Sequence, residues 1–174
     1  MSNRILDISV DGTQFAYLSY RDNTTNIFIK DIDKQGSSVQ RTNRQNILDF
    51  SYSPNGKYIC FSERNGTYNQ IDQTDAKTGY ICRQFTSNNK DFSPIYTFDM
   101  KNIFFSRQEA KGISIWSYNI ANNFLSNYTK GMNPFPLKSE EMIFCTRSNE
   151  KGHGEIWRIN YITGTEECIV SDPN

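Results

Sequence analysis

The amino-acid sequence predicts an all-β protein, a β-propeller of four four-stranded antiparallel blades. Short apolar segments occur at even spacing, and no stretch has helical periodicity. A four-strand pattern recurs about every 42 residues, and a period of about 40 to 45 residues is typical of propeller blades. The second strand of each copy ends at a hydroxyl-bearing residue. These residues are Ser19, Ser62, Ser106 and Thr146, which lie 43, 44 and 40 positions apart.

The stretch at residues 48–75, within the second copy, is the clearest one. Its Ser53-Pro54-Asn55-Gly56 segment is a reverse turn, because Pro sets φ at the second position while Asn and Gly accept the conformations that follow. A strand with period-two alternation precedes the turn, and strand 58–62 after it is apolar on both faces. We therefore expect this second strand to be buried on both sides.

The other copies follow the same order of strand, turn, strand, loop, strand, turn and strand. The first has its turn at Asp11-Gly12, whereas the turns at 99–101 and 139–140 are degraded. Trp116 and Trp157 take matching positions on the third strands of their copies. The sequence therefore predicts one domain over residues 1–174, with blades at 5–43, 47–87, 92–130 and 133–171.

Composition narrows the functional classes. Aromatic residues make up 14% of the chain while hydrophobic residues make up only 36%, so Phe and Tyr must supply much of the core volume. Lys+Arg and Asp+Glu number 19 each without a basic block, and this balance argues against nucleic-acid binding.

No apolar run approaches the roughly 20 residues of a membrane span. The first seven residues lack the apolar segment of a secretory signal, so we expect a cytosolic protein or a removed leader.

The cysteines do not suggest metal or redox chemistry. None of the four has CxxC spacing, and within a blade they fall on the second and fourth strands, about 10 Å apart. That separation exceeds the roughly 7 Å Cα limit for a disulfide. We therefore expect buried free thiols that act as small hydrophobic residues. They are Cys60, Cys82, Cys145 and Cys168.

The repeat resembles that of the TolB-like family, also called WD40-like or PD40 β-propellers. The family pattern P-x-W-S-P-D-G-K, an apolar strand, S-x-R-x-G and then I-Y is matched by Tyr52-Ser53-Pro54-Asn55-Gly56-Lys57 and Ser62-Glu63-Arg64-Asn65-Gly66. Ile115-Trp116 and Ile156-Trp157 match its third strand. The resemblance implies a bacterial protein outside the cytoplasm, typically periplasmic, and leads us to expect this location.

Members of this family usually have six blades or more, whereas this sequence supplies four. Three outcomes follow: a complete four-bladed ring, two chains that complete a larger ring, or a part of a longer protein. If the ring does not close on itself, the outer faces of the first and last blades would be exposed and apolar. Such faces would favour self-association.

Candidate binding residues lie in the loops after the second strands, on what is the usual binding face of propellers by family resemblance. Guanidinium groups there could grip carboxylates of a partner protein or an acidic sugar. Alternatively, each arginine pairs with a local Asp or Glu and ties loops together, which is the interpretation we favour. The single histidine is added to this set. The candidates are Arg21, Arg64, Arg107, Arg147 and His153.

A second set of polar residues stands near the starts of the first strands, where the chain should approach a central channel. Oxygen ligands around an axis could bind a cation such as Ca²⁺. We favour the alternative that they hydrogen-bond backbone groups or channel water. The sequence thus predicts no cofactor. The residues are Asp7, Asp49, Asp91 and Asn133.

Enzymatic chemistry finds little support. Catalysis by a Ser-His-Asp or Cys-His arrangement would need His153, and one histidine cannot form the clustered metal site of the propeller-fold oligogalacturonate lyases. Glu140-Glu141 and Glu166-Glu167 are adjacent in sequence, so their side chains point to opposite faces of a strand. Our leading hypothesis is a non-enzymatic module that binds another protein through its loop face. The alternative is a propeller that binds or processes carbohydrate or peptide in the central channel.

Overall fold

The computed structural model describes residues 3–137 and 141–171. Within these ranges the chain forms sixteen strands in four antiparallel sheets and no helix, which confirms the all-β prediction. In each sheet, strands that are neighbours in sequence are also hydrogen-bonded neighbours, as in a meander. The predicted turn at 139–140 lies outside the described residues. No helix in the described part of the chain has the length and apolarity that crossing a membrane requires.

The sheets, which we call blades one to four, have the following strands. Blade one contains β1 (Asn3–Ile8), β2 (Gln14–Arg21), β3 (Thr24–Asp31) and β4 (Val39–Gln40). Blade two contains β5 (Ile47–Tyr52), β6 (Tyr58–Asn65), β7 (Tyr68–Asp75) and β8 (Ile81–Asn89). Blade three contains β9 (Asp91–Tyr96), β10 (Asn102–Glu109), β11 (Gly112–Asn119) and β12 (Phe124–Lys130). Blade four contains β13 (Met132–Pro136), β14 (Met142–Ser148), β15 (Gly154–Asn160) and β16 (Glu166–Ser171).

The chain divides into two compact units, residues 1–94 and 95–174, with the boundary inside β9. In the first unit, Leu18 and Ile27 of blade one pack in a core cluster with Ile59 and Phe61 of blade two. Burying one such side chain is worth about 2 kcal/mol relative to leaving it exposed. Each unit thus has its own core, and the single domain over 1–174 stays a prediction.

The core of the second unit is built in the same way. Phe104 and Ile115 of blade three pack in a cluster with Ile143, Cys145 and Ile159 of blade four. Except for Cys145 and Ile159, at 1% and 2%, these side chains have no exposed surface. Each blade in this cluster therefore buries an apolar face against its neighbour.

The two faces of each blade follow from strand register. On the third strands, Ile27, Ile71, Ile115 and Ile156 lie opposite Leu18, Ser62, Ser106 and Thr146 of the second strands. We call the side that carries these isoleucines the Ile face. The next residue points to the opposite side, which we call the ring face because it carries an aromatic ring in three blades. The ring-face residues are Phe28, Asp72, Trp116 and Trp157.

The turn between the first and second strands has the same hydrogen bonds in three blades. In blade two, the Ser53 hydroxyl donates to Asn55 Oδ1 at 2.8 Å, and the Lys57 amide donates to the same oxygen at 3.0 Å. Ser9 and Asp11 take the places of Ser53 and Asn55 in blade one and make the same two hydrogen bonds. Thr97 and Asp99 take these places in blade three. The degraded third turn therefore keeps the geometry of the others.

Two of the four cysteines fit the expectation of buried thiols. Cys60 and Cys145 are buried, and burial raises the pKa of Cys60 to about 12. The expectation is wrong for Cys82, which is exposed, and for Cys168, which is partly exposed. Both lie on fourth strands, where the outer edge of a blade meets solvent. All four thiols are free.

Replacing Met100 by Gly should stabilise the protein. Met100 has φ 57°, whereas the matching residues Gly12 and Gly56 have φ 70°. For a residue with a Cβ, this left-handed conformation costs roughly 1 kcal/mol of stability. Met100→Gly should therefore raise the free energy of unfolding by about 1 kcal/mol. Urea unfolding followed by circular dichroism measures this change.

Gly56→Ala is the matched control for that substitution. A Cβ at Gly56 would meet no atom within 4 Å, so the variant isolates backbone strain. We expect it to lose about 1 kcal/mol of stability. A destabilised Met100→Gly protein would contradict the equivalence of the turns.

Candidate functional site

An open groove lies on the loop side of the second unit. The β10–β11 hairpin, the linker between β12 and β13 and the end of β14 enclose a volume of about 560 Å³. Its charged lining residues are Glu109, Lys111, Lys130 and Arg147. The loops after the second strands and the linkers between blades thus meet in this unit, as the sequence predicts for a loop face.

The groove carries an excess of positive charge. The side chains of Lys111 and Lys130 are exposed. Glu109 is partly buried and accepts a hydrogen bond of 2.7 Å from the Ser114 hydroxyl. The two lysine side chains are therefore the solvent-exposed cations of the groove.

Arg147 forms a fixed wall of the groove. Its Nε donates to the carbonyl of Lys130 at 2.8 Å, and its Nη2 donates to the Thr129 hydroxyl at 2.6 Å. Nη1 forms an ion pair of 2.9 Å with Glu166, and the guanidinium lies 4.3 Å from the centre of the Trp157 ring. Arg147 holds the pKa of Glu166 below its usual value. This arginine therefore fixes the linker.

Two other predicted arginines also lie on rings of their own blades. The Arg107 guanidinium is 4.3 Å from the centre of the Trp116 ring, and that of Arg21 is 4.2 Å from the centre of the Phe28 ring. Arg21 Nε also donates to the Ser19 hydroxyl at 3.2 Å. Cation–π contacts of this kind are worth about 1 kcal/mol. Arg21, Arg107 and Arg147 thus each cover the ring face of their blade.

Blade two replaces this arrangement with acidic side chains. Asp72 stands at the ring position, and Glu63 takes the register position that Arg107 has in blade three. Arg44 from the linker before β5 approaches both carboxylates at 3.5 Å. Burial raises the pKa of Asp72, opposed by the hydrogen bond from Gln70 and the charge of Arg44. An arginine thus covers the ring face here too, but it comes from a different part of the chain.

Arg64 is the exposed member of the predicted set. It lines a smaller cavity of about 280 Å³ in the first unit, together with Arg44 and Gln70. Sequence reasoning placed the four arginines at equivalent positions in loops just after the second strands, and this is wrong. All four lie within the second strands β2, β6, β10 and β14, and Arg64 pairs with Asn69 two residues beyond Ser62. Arg107 and Arg147 follow their hydroxyl residues by one position instead of two, so they point to the opposite face.

His153 lies in the turn between β14 and β15. Its backbone amide donates to Asn149 Oδ1 at 2.9 Å, and its carbonyl accepts the Asn149 amide at 2.9 Å. The imidazole is partly buried. His153 therefore stabilises a turn through its backbone, and a role in partner binding stays a prediction.

Asp7 and Asp49 act as acceptors for backbone amides in the first unit. Asp7 Oδ2 accepts the Tyr52 amide at 2.8 Å, and Asp49 Oδ2 accepts the Ser93 amide at 2.7 Å. The other Asp49 oxygen accepts the Ser62 hydroxyl. Burial raises the pKa of Asp49, opposed by these hydrogen bonds. Both carboxylates tie one blade to the first strand of the next.

The remaining members of the second set are placed differently. Asp91 is fully buried, whereas Asn133 sits in the second unit with φ 54° and donates its backbone amide to the Ser106 hydroxyl at 2.9 Å. The part of the chain that the structure describes contains no group of three or more His, Cys, Asp or Glu able to hold a metal ion. Cation binding at these residues stays a prediction.

Sequence reasoning did not single out the two groove lysines or Arg44. A signal was present, because Lys111 precedes Gly112 at the tip of a hairpin and Lys130 precedes Gly131 in a linker. Both glycines have positive φ, at 130° and 131°. Residues in such loops on the expected binding face were candidates by position alone.

Comparison with known proteins shows the TolB-like β-propeller fold. TolB from Acinetobacter baumannii has a TM-score of 0.84 at 18% identity, over 97% of this chain and 43% of its own. The putative TolB from Agrobacterium tumefaciens has a TM-score of 0.83 at 16% identity, over 94% and 63%. An oligogalacturonate lyase in complex with manganese has a TM-score of 0.73 at 9% identity, over 98% and 54%. At these identities the likeness concerns the fold alone.

A relative by sequence comes from a virus. Uncharacterized protein R882 of Acanthamoeba polyphaga mimivirus is 35% identical over 44% of this chain and 29% of its own length. No protein-family model matches the chain. The chain therefore spans less than a third of this relative and less than half of the Acinetobacter TolB.

Arg147→Ala should destabilise the second unit. The variant loses two hydrogen bonds to the linker, the ion pair with Glu166 and the cover of the Trp157 ring, which together should cost about 2 kcal/mol. Arg147→Lys should fall between the wild type and Arg147→Ala, because it keeps the charge but not the planar fork. Arg64→Ala is the control and should change stability by less than about 0.5 kcal/mol. Equal losses for Arg64 and Arg147 in urea unfolding would contradict this assignment.

Asp49→Asn should change how stability depends on pH. Burial raises the pKa of Asp49 above its ordinary 3.8, so the folded protein holds this proton more tightly than the unfolded chain. Relative to Asp49→Asn, the wild type should lose stability as pH rises from 3.8 through the folded-state pKa. Urea unfolding at a series of pH values measures the difference.

Asp75→Asn is the control of opposite sign. Hydrogen bonds from Thr78 lower the pKa of Asp75, so its contribution to stability should grow as pH rises to 3.8. Parallel pH profiles for the wild type and Asp49→Asn would contradict a raised pKa for the buried Asp49 carboxyl.

Proposed function

We propose that the protein is a non-enzymatic binding module whose groove in the second unit takes an acidic segment of another protein. The observation that carries this proposal is the pair of exposed ammonium groups, Lys111 and Lys130, beside an open volume of about 560 Å³. Volumes of about 300 to 1,000 Å³ are typical of ligand sites. Carboxylates are the groups that such a surface would attract.

The charge distribution supports an anionic partner over a cationic one. Arg147 is already neutralised by Glu166, and the two lysines outnumber Glu109, which keeps its charge while it accepts the Ser114 hydroxyl, so the groove stays positive. Exposed ion pairs are worth less than about 1 kcal/mol each. The interaction should therefore be weak, and it should weaken further as salt is added.

The fold alone does not decide between binding and catalysis. Proteins of similar fold include TolB as well as a puromycin hydrolase and an oligogalacturonate lyase. Function must therefore be argued from the site. The groove offers cations and backbone groups, and its lining includes no histidine or cysteine. This donor set supports recognition of an anion.

The arginines enter this proposal in two roles. Arg147 holds the wall of the groove, and Arg64 supplies an exposed guanidinium beside the smaller cavity of the first unit. Arg107 has 8% of its surface exposed, so we assign it to packing over Trp116. We also propose a location outside the cytoplasm, which the TolB-like resemblance leads us to expect.

Charge reversal in the groove tests the proposal. Binding of a fluorescent Glu-rich peptide is measured by anisotropy at low salt for the wild type and for Lys111→Glu/Lys130→Glu. Losing two attractive contacts and gaining two repulsive ones should raise Kd about tenfold, which corresponds to roughly 1.4 kcal/mol. An oligosaccharide of uronic acids serves as competitor, because it carries carboxylates without a peptide backbone.

The matched control is Lys57→Glu/Lys77→Glu, which makes the same change in net charge at exposed turns of the first unit. Its Kd should stay within about twofold of the wild type, since neither lysine lines the groove and salt screens charges that make no direct contact. Equal weakening by both double variants would mean unspecific attraction and would overturn the groove assignment. Stronger binding of the oligosaccharide than of the peptide would overturn the assignment of a protein partner.

A further inference from the structure

Two Asn-Gly pairs occur in the sequence, and both lie at turns of blade two. Asn55-Gly56 belongs to the turn between β5 and β6, whereas Asn65 ends β6 and Gly66 opens the turn to β7. An Asn-Gly pair can react with itself, because no side chain on the glycine shields its amide nitrogen from the asparagine side chain. The two pairs share this chemistry, so their structural settings decide which of them reacts.

The folded turn holds Asn55-Gly56 in place. Asn55 Oδ1 accepts the Ser53 hydroxyl at 2.8 Å and the Lys57 amide at 3.0 Å. The Gly56 amide donates to the Ser53 carbonyl at 2.9 Å. A reaction between the pair requires the Gly56 nitrogen to give up its proton and approach Asn55 Cγ. The hydrogen bonds that fix both groups must therefore open first.

Asn65-Gly66 lacks these restraints. Asn65, Gly66 and Thr67 are all exposed, and a Cβ at Gly66 would meet no atom within 4 Å. Within residues 3–137 and 141–171, no hydrogen bond engages the Asn65 side chain or the Gly66 amide. Gly66 has φ 63°, a conformation that glycine adopts without strain. The Asn65 side chain can therefore turn towards the Gly66 nitrogen without disturbing the fold.

Asn65 also lines the cavity of about 280 Å³ in the first unit. The charged residues of that lining are Arg44, Glu63 and Arg64, which together carry one positive charge. Arg44 approaches Glu63 at 3.5 Å, whereas Arg64 is exposed. A carboxylate in place of the Asn65 amide would bring the charge of the lining to zero. The chemical state of residue 65 therefore sets whether this cavity attracts anions.

We propose that Asn65 is a site of spontaneous deamidation, which makes the lining of this cavity neutral. The Gly66 nitrogen forms a bond to Asn65 Cγ, and the side-chain nitrogen leaves as ammonia with the hydrogen from Gly66. Water then adds to either carbonyl of the resulting succinimide and opens the ring to aspartate or isoaspartate. Water is the only co-reactant, and nothing is oxidised or reduced. The step does not involve the groove of the second unit.

Peptide mapping by mass spectrometry tests the proposal on the intact protein, incubated in mildly alkaline buffer with and without urea. In the folded protein, Asn55 should react about tenfold more slowly than Asn65, which corresponds to roughly 1.4 kcal/mol for opening its turn. In urea both residues should react at similar rates, because each is followed by glycine. Digestion in water labelled with heavy oxygen separates deamidation during incubation from deamidation during digestion.

Asn65→Gln is the matched control variant. It keeps an amide at an exposed hairpin tip, but its longer side chain must close a larger ring and reacts far more slowly. The wild type should develop a new acidic peak in anion-exchange chromatography, since each reacted chain gains one carboxylate. Asn65→Gln should not develop that peak over the same time. Thermal melts confirm that both proteins are folded.

Several results would overturn the proposal. A folded wild type that keeps Asn65 intact while the urea-unfolded chain reacts would show that the hairpin protects this residue. Equal rates at Asn55 and Asn65 in the folded protein would remove the structural distinction between the two pairs. An Asn55 that also reacts more slowly in urea would assign the difference to local sequence. An acidic peak that persists in Asn65→Gln would place the modification elsewhere.

Discussion

Every blade must bury apolar side chains on both of its faces, and a single four-stranded sheet cannot do this alone. The structure meets this constraint by packing the Ile face of one blade against the ring face of another, as Ile27 does with Phe61 and Ile115 with Ile143. Strand length, turn geometry and the spacing of the repeat together position the side chains that make this contact. Chain segments at the edges of the sheets are released from core packing, and we therefore propose binding residues in the hairpin tips and linkers.

The polar residues near those edges divide into two groups. Asp7, Asp49 and Arg147 are engaged with backbone groups of the adjoining blade or linker, at distances between 2.7 and 2.8 Å. These residues are conspicuous in the sequence because they recur with the repeat, and they recur because each junction between blades must satisfy its backbone groups. In the described part of the chain, the side chains of Lys111, at a hairpin tip, and of Lys130, at the start of a linker, make no such contact with the backbone. Recognition is therefore assigned to residues that the repeat does not dictate.

Much of the fold follows from the sequence, because strand period, turn chemistry and repeat length are local properties. Sequence reasoning identified the turn at Asp99 as a degraded copy, and it keeps the same hydrogen bonds with Met100 in place of glycine. The candidate site could be predicted less well from the sequence. Sequence reasoning set Arg64 level with Arg107 just after the second strands, but a one-residue difference in register sends them to opposite faces. The groove itself depends on how a linker and a hairpin pack, which no sequence motif records.

The central claim is that an anionic ligand binds the groove of the second unit. Backbone amide spectra of ¹⁵N-labelled protein, recorded during titration with a Glu-rich peptide, test it most directly, since they report contact residue by residue. The account predicts saturable shifts concentrated at Gly112, Gly131 and their neighbours, which line the groove. Shifts spread evenly over exposed lysines, or confined to other loops, would contradict it.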